Sequence, residues 1–268
     1  MGDLVRTSQR GSYFGKRNRV VMVGTFLGMV AAGYSLRYFK NTNQELTGFY
    51  LIFLVASLCR YISYRYLNKK YEPPMKSGTG FNEGFLNFLK DLRTKNYGPL
   101  VSSMVFVNFG VFIAAAYYTP HLLKHLKLDY WKYTVLISSV LFFKSITSRF
   151  WGEVIDHLGA KKVVSLCSLL ICFTTWPWIF FDKYWIILLA QCYTGIVWAG
   201  YELSTFTFLL DATETHERTR VTSFFNILNT TAGFLGGVIG ALFVTLSKDS
   251  VLAFKIVFAS TAIIIYIS

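Results

Sequence analysis

Residues 185–210 read WIILLAQCYTGIVWAGYELSTFTFLL, and Glu202 is the one charged residue among them. A helix that crosses the hydrocarbon core of a bilayer needs about 20 predominantly apolar residues, so this stretch is long enough to span a membrane. Comparable apolar runs occupy most of the remaining chain, at 20–39, 48–64, 100–118, 133–150, 163–181, 221–246 and 251–268. The sequence therefore predicts an all-α fold, a polytopic membrane helix bundle with eight transmembrane helices.

The composition argues against the soluble classes of protein. Hydrophobic residues make up 53% of the 268 residues, and the mean hydropathy is +0.42. Charged residues make up 15%, against about 25% in a soluble domain. These values argue against a soluble enzyme and against a disordered chain. The formal net charge of +13 would suit nucleic acid, but basic residues between apolar runs are typical of membrane-protein loops. We therefore expect no nucleic-acid partner.

The distribution of Lys and Arg predicts the orientation in the membrane. Alternate loops form two sets, of which one carries 17 of these residues and the other carries 7. Cytoplasmic loops have an excess of Lys and Arg, so the first set is predicted to be cytoplasmic. Both termini then face the cytoplasm, and the basic loops face the anionic lipid of a plasma or inner membrane.

An internal repeat occurs at a fixed offset of 208 residues. The two copies share seven identities over 26 aligned positions, among them Asp3 with Asp211, Arg10 with Arg218, and the triplet at 26–28 with that at 234–236. An even number of predicted spans separates the copies, so they have the same orientation. Parallel repeats of this kind are found in transporters with two like halves, and the offset implies about six spans in each half.

The loop after the fourth predicted span carries a signature, GEVIDHLGAKK at residues 152–162. It resembles the loop signature of the major facilitator superfamily, G-x-x-x-D-R-x-G-R-[RK]-[RK]. The matching positions are Gly152, Asp156, Gly159, Lys161 and Lys162, whereas His157 and Ala160 stand where the family has Arg. The family has this signature between spans two and three and, in weaker form, between spans eight and nine. The departures at His157 and Ala160 favour the weaker copy, which lies between spans eight and nine.

This resemblance implies the 6+6 transporter fold of the family, of which the chain covers spans 5 to 12. Residues 1–66 would hold the last two spans of the N-terminal half, residues 67–98 the cytoplasmic central loop, and residues 99–268 the six-span C-terminal half. Phe85, Phe88 and Leu92 recur at helical spacing in the central loop and predict an amphipathic helix on the cytoplasmic leaflet. We expect a fragment in which Met1 is an internal methionine, and a monomer when full length.

The resemblance also implies a cytoplasmic gate. In the family, the loop aspartate contacts the first turn of a span in the other half, where free N–H groups carry about half a positive charge. Here the aspartate is Asp156 and the turn lies near residues 11–14, with Arg10 or Arg17 close by. The gate residues assigned in this way are Gly152, Asp156, Gly159, Lys161, Lys162, Asp3, Arg10, Arg17, Asp211 and Arg218. The alternative is a solvated loop without a gating role.

Polar residues deep in the predicted spans indicate a central cavity. Glu202, Lys144, Asn108 and Asn229 each lie eight or nine residues from a cytoplasmic span end. That separation is about 12–14 Å, near the middle of a core of about 30 Å. Charged groups at this depth are costly unless they are functional or paired. We assign Glu202 and Lys144 to the cavity, as an ion pair or as ligands of a proton and a substrate, with Trp198 and Tyr201 beside them. The alternative is a structural pair near a helix end.

These patterns favour a secondary active transporter that moves a small polar or charged solute by alternating access, with a proton or ion as the coupling partner. No phosphate-binding loop and no arrangement of nucleophile and base is recognisable, so we expect no enzyme, no cofactor and no metal site. The alternative is an eight-span membrane enzyme or lipid-interacting protein that is complete as written.

Overall fold

The computed structural model describes residues 9–42, 44–69, 85–95, 97–128, 130–213 and 217–246, and the regular structure in these ranges is helical. The first helices are α1 (Arg10–Asn41), α2 (Glu45–Leu67), α3 (Phe85–Thr94) and α4 (Gly98–Pro120), which a π-helical turn at His121–His125 follows. The later helices are α5 (Tyr130–Leu158), α6 (Ala160–Cys172), α7 (Trp176–Phe180), α8 (Tyr184–Ala212) and α9 (Arg218–Leu246). The predicted span at 251–268 lies outside the described residues.

The chain divides into two compact units, of which the smaller contains residues 24–80. Within it, the amide of Gln44 donates to the carbonyl of Phe39 at 2.9 Å and closes the turn between α1 and α2. Gly48 lies so close to this turn that a Cβ at its position would be 2.9 Å from the Cβ of Phe39. Large apolar side chains are exposed along the whole of α2, which is the surface expected of a helix surrounded by lipid or by other membrane helices.

The larger unit is built from two closely packed helix pairs. Helix α4 packs along α9, α5 packs along α8, and α6 also packs against α8. Glycines allow the backbones to approach: a Cβ at Gly236 would lie 2.5 Å from the carbonyl oxygen of Phe109, and one at Gly195 would lie 2.5 Å from that of Val140. Small residues are a common device for close helix packing in membranes.

Within the residues that the structure describes, six helical segments are long and apolar enough to cross a membrane by length and composition. They are Arg10–Leu36, Leu46–Leu67, Gly98–Leu123, Ala160–Phe180, Tyr184–Ala212 and Arg218–Phe243. Helix α5 has 29 residues but is not among these six, and Lys144, Arg149 and several hydroxyl side chains lie in its predicted span. Six of the eight predicted spans are therefore supported by the described residues.

The predicted span at 163–181 consists of two helices rather than one continuous helix. Helix α6 ends at Cys172, and the hydroxyls of Thr174 and Thr175 donate to the carbonyls of Ile171 and Cys172 at 2.7 and 3.1 Å. Pro177 follows in the first turn of α7. It has no N–H with which to continue the hydrogen bonds of α6, but it suits the start of a new helix.

Helix α3 contacts protein where the sequence predicted a contact with lipid. Phe88 is 1% exposed, and its ring lies 5.2 Å from the ring of Phe224 on α9. Phe85 approaches the same ring at 5.5 Å. Just beyond α3, Lys95 pairs with Glu217, with Nζ 3.1 Å from Oε2. The apolar face of α3 thus packs on α4 and α9, and the interpretation as a helix lying on the leaflet is wrong for this face.

Candidate functional site

The end of α5 lies against the first turn of α1. The carboxylate of Asp156 accepts hydrogen bonds from the main-chain N–H groups of Gly11 at 2.7 Å and Ser12 at 2.8 Å, and from the hydroxyl of Ser12. The first N–H groups of a helix lack partners within the helix and carry partial positive charge. One carboxylate therefore provides both the missing acceptors and a favourable charge. This is the turn to which the family resemblance assigned Asp156.

Two glycines let the backbones of α1 and α5 meet at this point. A Cβ at Gly11 would lie 2.4 Å from the carbonyl oxygen of Gly152, and a Cβ at Gly152 would lie 2.5 Å from that of Gly11. One turn later, Gly15 faces the carbonyl of Ser148 in the same way. A larger residue at position 11 or 152 would push the helices apart and lengthen the bonds to Asp156. We call Gly11, Ser12, Gly152 and Asp156 the α1–α5 contact.

Arg10 makes a second link from the start of α1, and its partner is Asp211 rather than Asp156. Its Nη1 donates to Oδ1 of Asp211 at 2.5 Å, with side chains 9% and 40% exposed respectively. On the next turn of α1, the ring of Phe14 lies edge-on to the ring of Phe206 at 4.9 Å. The first turns of α1 are therefore held to α5 through Asp156 and to α8 through Asp211.

Three other predicted gate residues lie apart from the α1–α5 contact. Lys161 and Lys162 are exposed on the first turn of α6, and Arg17 is exposed on α1. None of the three forms an ion pair with a residue that the structure describes. Within the described ranges, no ion pair therefore supports their predicted role in the gate.

Two further predicted gate residues, Gly159 and Arg218, lie in or beside the connections between helices. Gly159 links α5 to α6 with φ of +87°, in the left-handed region that glycine adopts at little cost. Arg218 donates from Nη2 to the carbonyl of Leu210 at 2.8 Å and to that of Thr213 at 3.4 Å, which holds the connection between α8 and α9. Asp3 lies outside the described residues.

Lys144 of α5 and Glu202 of α8 form an ion pair, with Nζ 2.7 Å from Oε1. The lysine side chain is 11% exposed and the glutamate 40%, so the carboxylate keeps an accessible side. Glu202 lies ten residues before the end of α8 at Ala212, which corresponds to about 15 Å along the helix. Of the two arrangements that the sequence left open, the structure has the ion pair.

The two predicted asparagines also meet. Nδ2 of Asn108 on α4 donates to Oδ1 of Asn229 on α9 at 2.7 Å. The same Nδ2 lies 3.3 Å from the carbonyl oxygen of Met104, and the hydroxyl of Tyr201 donates to that oxygen, also at 3.3 Å. Both asparagines lie about 15–17 Å from the starts of their helices. This polar network connects α4, α8 and α9 at a depth similar to that of the ion pair.

Tyr201 is part of the core and not of an accessible surface. It is 2% exposed, and the ring of Trp198 packs edge-on to it at 5.5 Å. Successive helical residues point about 100° apart, so Tyr201 faces α4 while its neighbour Glu202 faces α5. The expectation that Tyr201 lines a cavity beside Glu202 does not fit this burial.

Two groups in these sites were not predicted from the sequence. Ser12 had only a positional signal, because it lies in the first turn of α1, where main-chain N–H groups lack partners within the helix. The carbonyl of Met104 had none, since every residue carries a main-chain carbonyl and only the packing of Tyr201 and Asn108 selects this one.

A family model of the Major Facilitator Superfamily matches residues 100–268, which is more than half of the chain. The chain belongs to the major facilitator superfamily. Members of this superfamily are generally transporters rather than enzymes, and the apolar helices make this member an integral, multi-pass membrane protein. The match includes Asp156, the Lys144–Glu202 pair and both asparagines, whereas the first turn of α1 precedes it. The chain has no significant match among curated proteins.

Proposed function

We propose that this superfamily member is a secondary active transporter that moves a small polar or charged solute by alternating access. The observation that carries the proposal is the bonding of Asp156 to the first turn of α1. The polar bonds of this contact can break and form again as a unit, because their partners are one carboxylate and the end of a helix. This contact suits a gate that is shut in one arrangement of the helices and open in another.

The strength expected of this contact also suits a reversible gate. A carboxylate at a helix N-terminus contributes about 1–2 kcal/mol in a partly buried position, and its hydrogen bonds add to that. The two arrangements of a transporter need to differ by only a few kcal/mol for a ligand to shift their populations. The Arg10–Asp211 pair adds a second link of the same reversible kind, since Asp211 is 40% exposed.

The solute site is proposed at the level of Lys144 and Glu202. Charges near the middle of a membrane protein are costly unless they are paired or functional, and this pair leaves Glu202 accessible. A proton or a cationic group of a solute would compete with Lys144 for the carboxylate. An anionic group would compete with Glu202 for the lysine. We infer that the solute is small and polar or charged and that a proton or ion is coupled to its movement.

Uptake into proteoliposomes tests the role of Glu202. Radiolabelled amino acids, sugars and carboxylates serve as probes, with and without an imposed proton gradient. We expect the wild type to accumulate at least one of these probes in proportion to the gradient, and Glu202→Gln to lose that dependence because its side chain does not take up a proton. Asp182→Asn removes one exposed carboxylate between α7 and α8 and is the control. Unchanged gradient dependence in Glu202→Gln would refute proton coupling through this residue.

We infer that both termini face the cytoplasm of a plasma or inner membrane and that the protein acts as a monomer, with lipid around it. The excess of Lys and Arg on the side of Asp156 supports this orientation. Cysteines introduced singly at Lys161 and Lys183, in a background without the native cysteines, report it through an impermeant maleimide. In intact cells, label at position 183 alone agrees with the orientation, and label at 161 alone contradicts it.

A further inference from the structure

An open cleft lies between α1 and α5, beside the α1–α5 contact. Its lining consists of Lys16, Arg19, Val20 and Val23 from α1 and Arg149 from α5, and its volume is about 400 Å³. The four residues of α1 follow the spacing i, i+3, i+4, i+7 and therefore share one face of the helix. The cleft thus combines a basic part and an apolar part on a single helix face, opposite one further cation.

The charges of the cleft are largely uncompensated. Nε of Arg149 donates to Oε1 of Glu153 at 3.1 Å, and both of these side chains are more than half exposed. An exposed pair of this kind contributes little free energy. Lys16 and Arg19 form no ion pair with a residue in the described ranges. Three cations therefore meet a single carboxylate, which leaves a site for an anion.

The order of the lining residues along the helices matches the layers of a membrane. The apolar run of α1 begins at Val20, directly after Arg19, and the apolar run of α5 ends at residue 150, directly after Arg149. The helices are antiparallel here, since Gly11 meets Gly152 and Gly15 meets Ser148. The three cations therefore lie at one boundary of the apolar layer, where phospholipid headgroups lie. Val20 and Val23 are exposed within that layer, 72% and 38% respectively.

We propose that this cleft binds an acidic phospholipid, with the headgroup phosphate held by Lys16, Arg19 and Arg149 and an acyl chain lying on Val20 and Val23. Inorganic phosphate has the same charge but no chain, and the exposed valines favour the lipid as the source of the anion. Basic pockets between transmembrane helices are known to suit such headgroups. A lipid held by both helices would also favour the arrangement in which α1 and α5 touch, a consequence that rests on the proposed function.

Lipid titration followed by native mass spectrometry of the detergent-solubilised protein tests the binding. The probes are palmitoyl-oleoyl phosphatidylglycerol and the phosphatidylcholine with the same chains. We expect the wild type to retain phosphatidylglycerol in preference. The variant K16Q/R19Q/R149Q should bind it about a hundredfold more weakly, at about fivefold for each basic residue near the membrane surface. The variant K16R/R19K/R149K keeps the charges and should keep the preference.

A matched control removes three exposed cations from elsewhere in the chain. The variant K69Q/K90Q/R93Q lowers the net charge equally, and its retention of phosphatidylglycerol should equal that of the wild type. Equal retention by K16Q/R19Q/R149Q and the wild type would overturn the proposal, and so would an equal loss in both neutralised variants. Displacement of the lipid by millimolar inorganic phosphate would also overturn it, by identifying a site for a soluble anion.

A single substitution covers the case in which the triple variant does not fold. The side chain of Arg149 is 56% exposed, so Arg149→Gln should fold normally and lose about fivefold in retention. An unchanged retention in Arg149→Gln would count against the site. Because the measurement reports binding alone, a negative result would leave the proposed transport function standing, and a failure of transport would leave the lipid site standing.

Discussion

Replacement of Asp156 by Asn removes a charge from the α1–α5 contact while preserving the size of the side chain. In the wild type, the two carboxylate oxygens accept from the N–H groups of Gly11 and Ser12 and from the hydroxyl of Ser12. An asparagine keeps one oxygen and places an amide N–H₂ where the second oxygen was. That amide cannot accept from a main-chain N–H, so one donor at the start of α1 loses its partner.

The free energy lost can be worked out from these contacts. Loss of the negative charge beside the helix N-terminus costs about 1 kcal/mol. Replacement of a charged acceptor by a donor costs about a further 1–2 kcal/mol, because hydrogen bonds to charged groups are roughly twice as strong as neutral ones. The total of about 2–3 kcal/mol corresponds to an increase of about 30- to 150-fold in the population in which α1 and α5 have separated.

Hydrogen exchange measures that population directly. The amides of Gly11 and Ser12 belong to the first turn of α1, so their protection depends on Asp156 and not on bonds within the helix. In Asp156→Asn, exchange of a peptide covering residues 9–16 should accelerate at these two amides by about 30- to 150-fold. The control Asp182→Asn changes an exposed aspartate between α7 and α8 and should leave this peptide unchanged. Exchange at the wild-type rate in Asp156→Asn would refute the reasoning.

Three further changes have expected effects on thermal unfolding in detergent. Gly152→Ala should destabilise by about 1–3 kcal/mol, because its Cβ would meet the carbonyl oxygen of Gly11 at 2.5 Å. Lys144→Met should be more harmful alone than together with Glu202→Gln, with a coupling free energy of about 1–3 kcal/mol in the double-mutant cycle, since each single change leaves one charge unpaired. Tyr201→Phe should cost about 1 kcal/mol, because it removes the hydroxyl that donates to a main-chain carbonyl of α4.

The glycine and tyrosine changes each have a matched control, and the charged pair is tested by the additivity of its two changes. Gly237→Ala adds the same methyl group where no atom of a described neighbour lies within 4 Å, so a loss equal to that of Gly152→Ala would contradict the close-contact argument. Tyr61→Phe removes a hydroxyl from an exposed ring of α2 and should be neutral. Additive effects at Lys144 and Glu202 would contradict a direct ion pair.

Contacts between side chains on different helices were predictable where they depend only on how far each residue lies from the end of its span. Lys144 and Glu202 lie at matching distances from the predicted cytoplasmic ends of their spans. Their pairing therefore requires only that these two spans be neighbours. The bonding of Asp156 to the first turn of α1 was implied by the family that the signature at 152–162 resembles. Depth says nothing about the direction of a side chain around its helix, which is why the burial of Tyr201 was not predicted from its position beside Glu202.

Other features depend on what surrounds an apolar face. The pattern that includes Phe88 predicts an apolar stripe, but a stripe of this kind packs equally well on lipid and on protein, and here it packs on Phe224. The interruption between α6 and α7 had a local signal in Pro177 that the apolar run around it obscured. The preference of Arg10 for Asp211 over Asp156 depends on the approach of α8, which no local pattern encodes.

The α1 side of the α1–α5 contact is formed mainly by main-chain N–H groups, and this has a consequence for the mutations that the protein tolerates. At position 12, every amino acid except proline supplies the N–H that Asp156 accepts. At position 11, the limit is volume, because only glycine fits against Gly152. The α5 side is the opposite, since a single carboxylate of fixed length provides all the acceptors. Sequence drift should therefore be absent at positions 11 and 156, whereas position 12 should accept residues other than proline, with serine and threonine favoured because they keep the hydroxyl bond to Asp156.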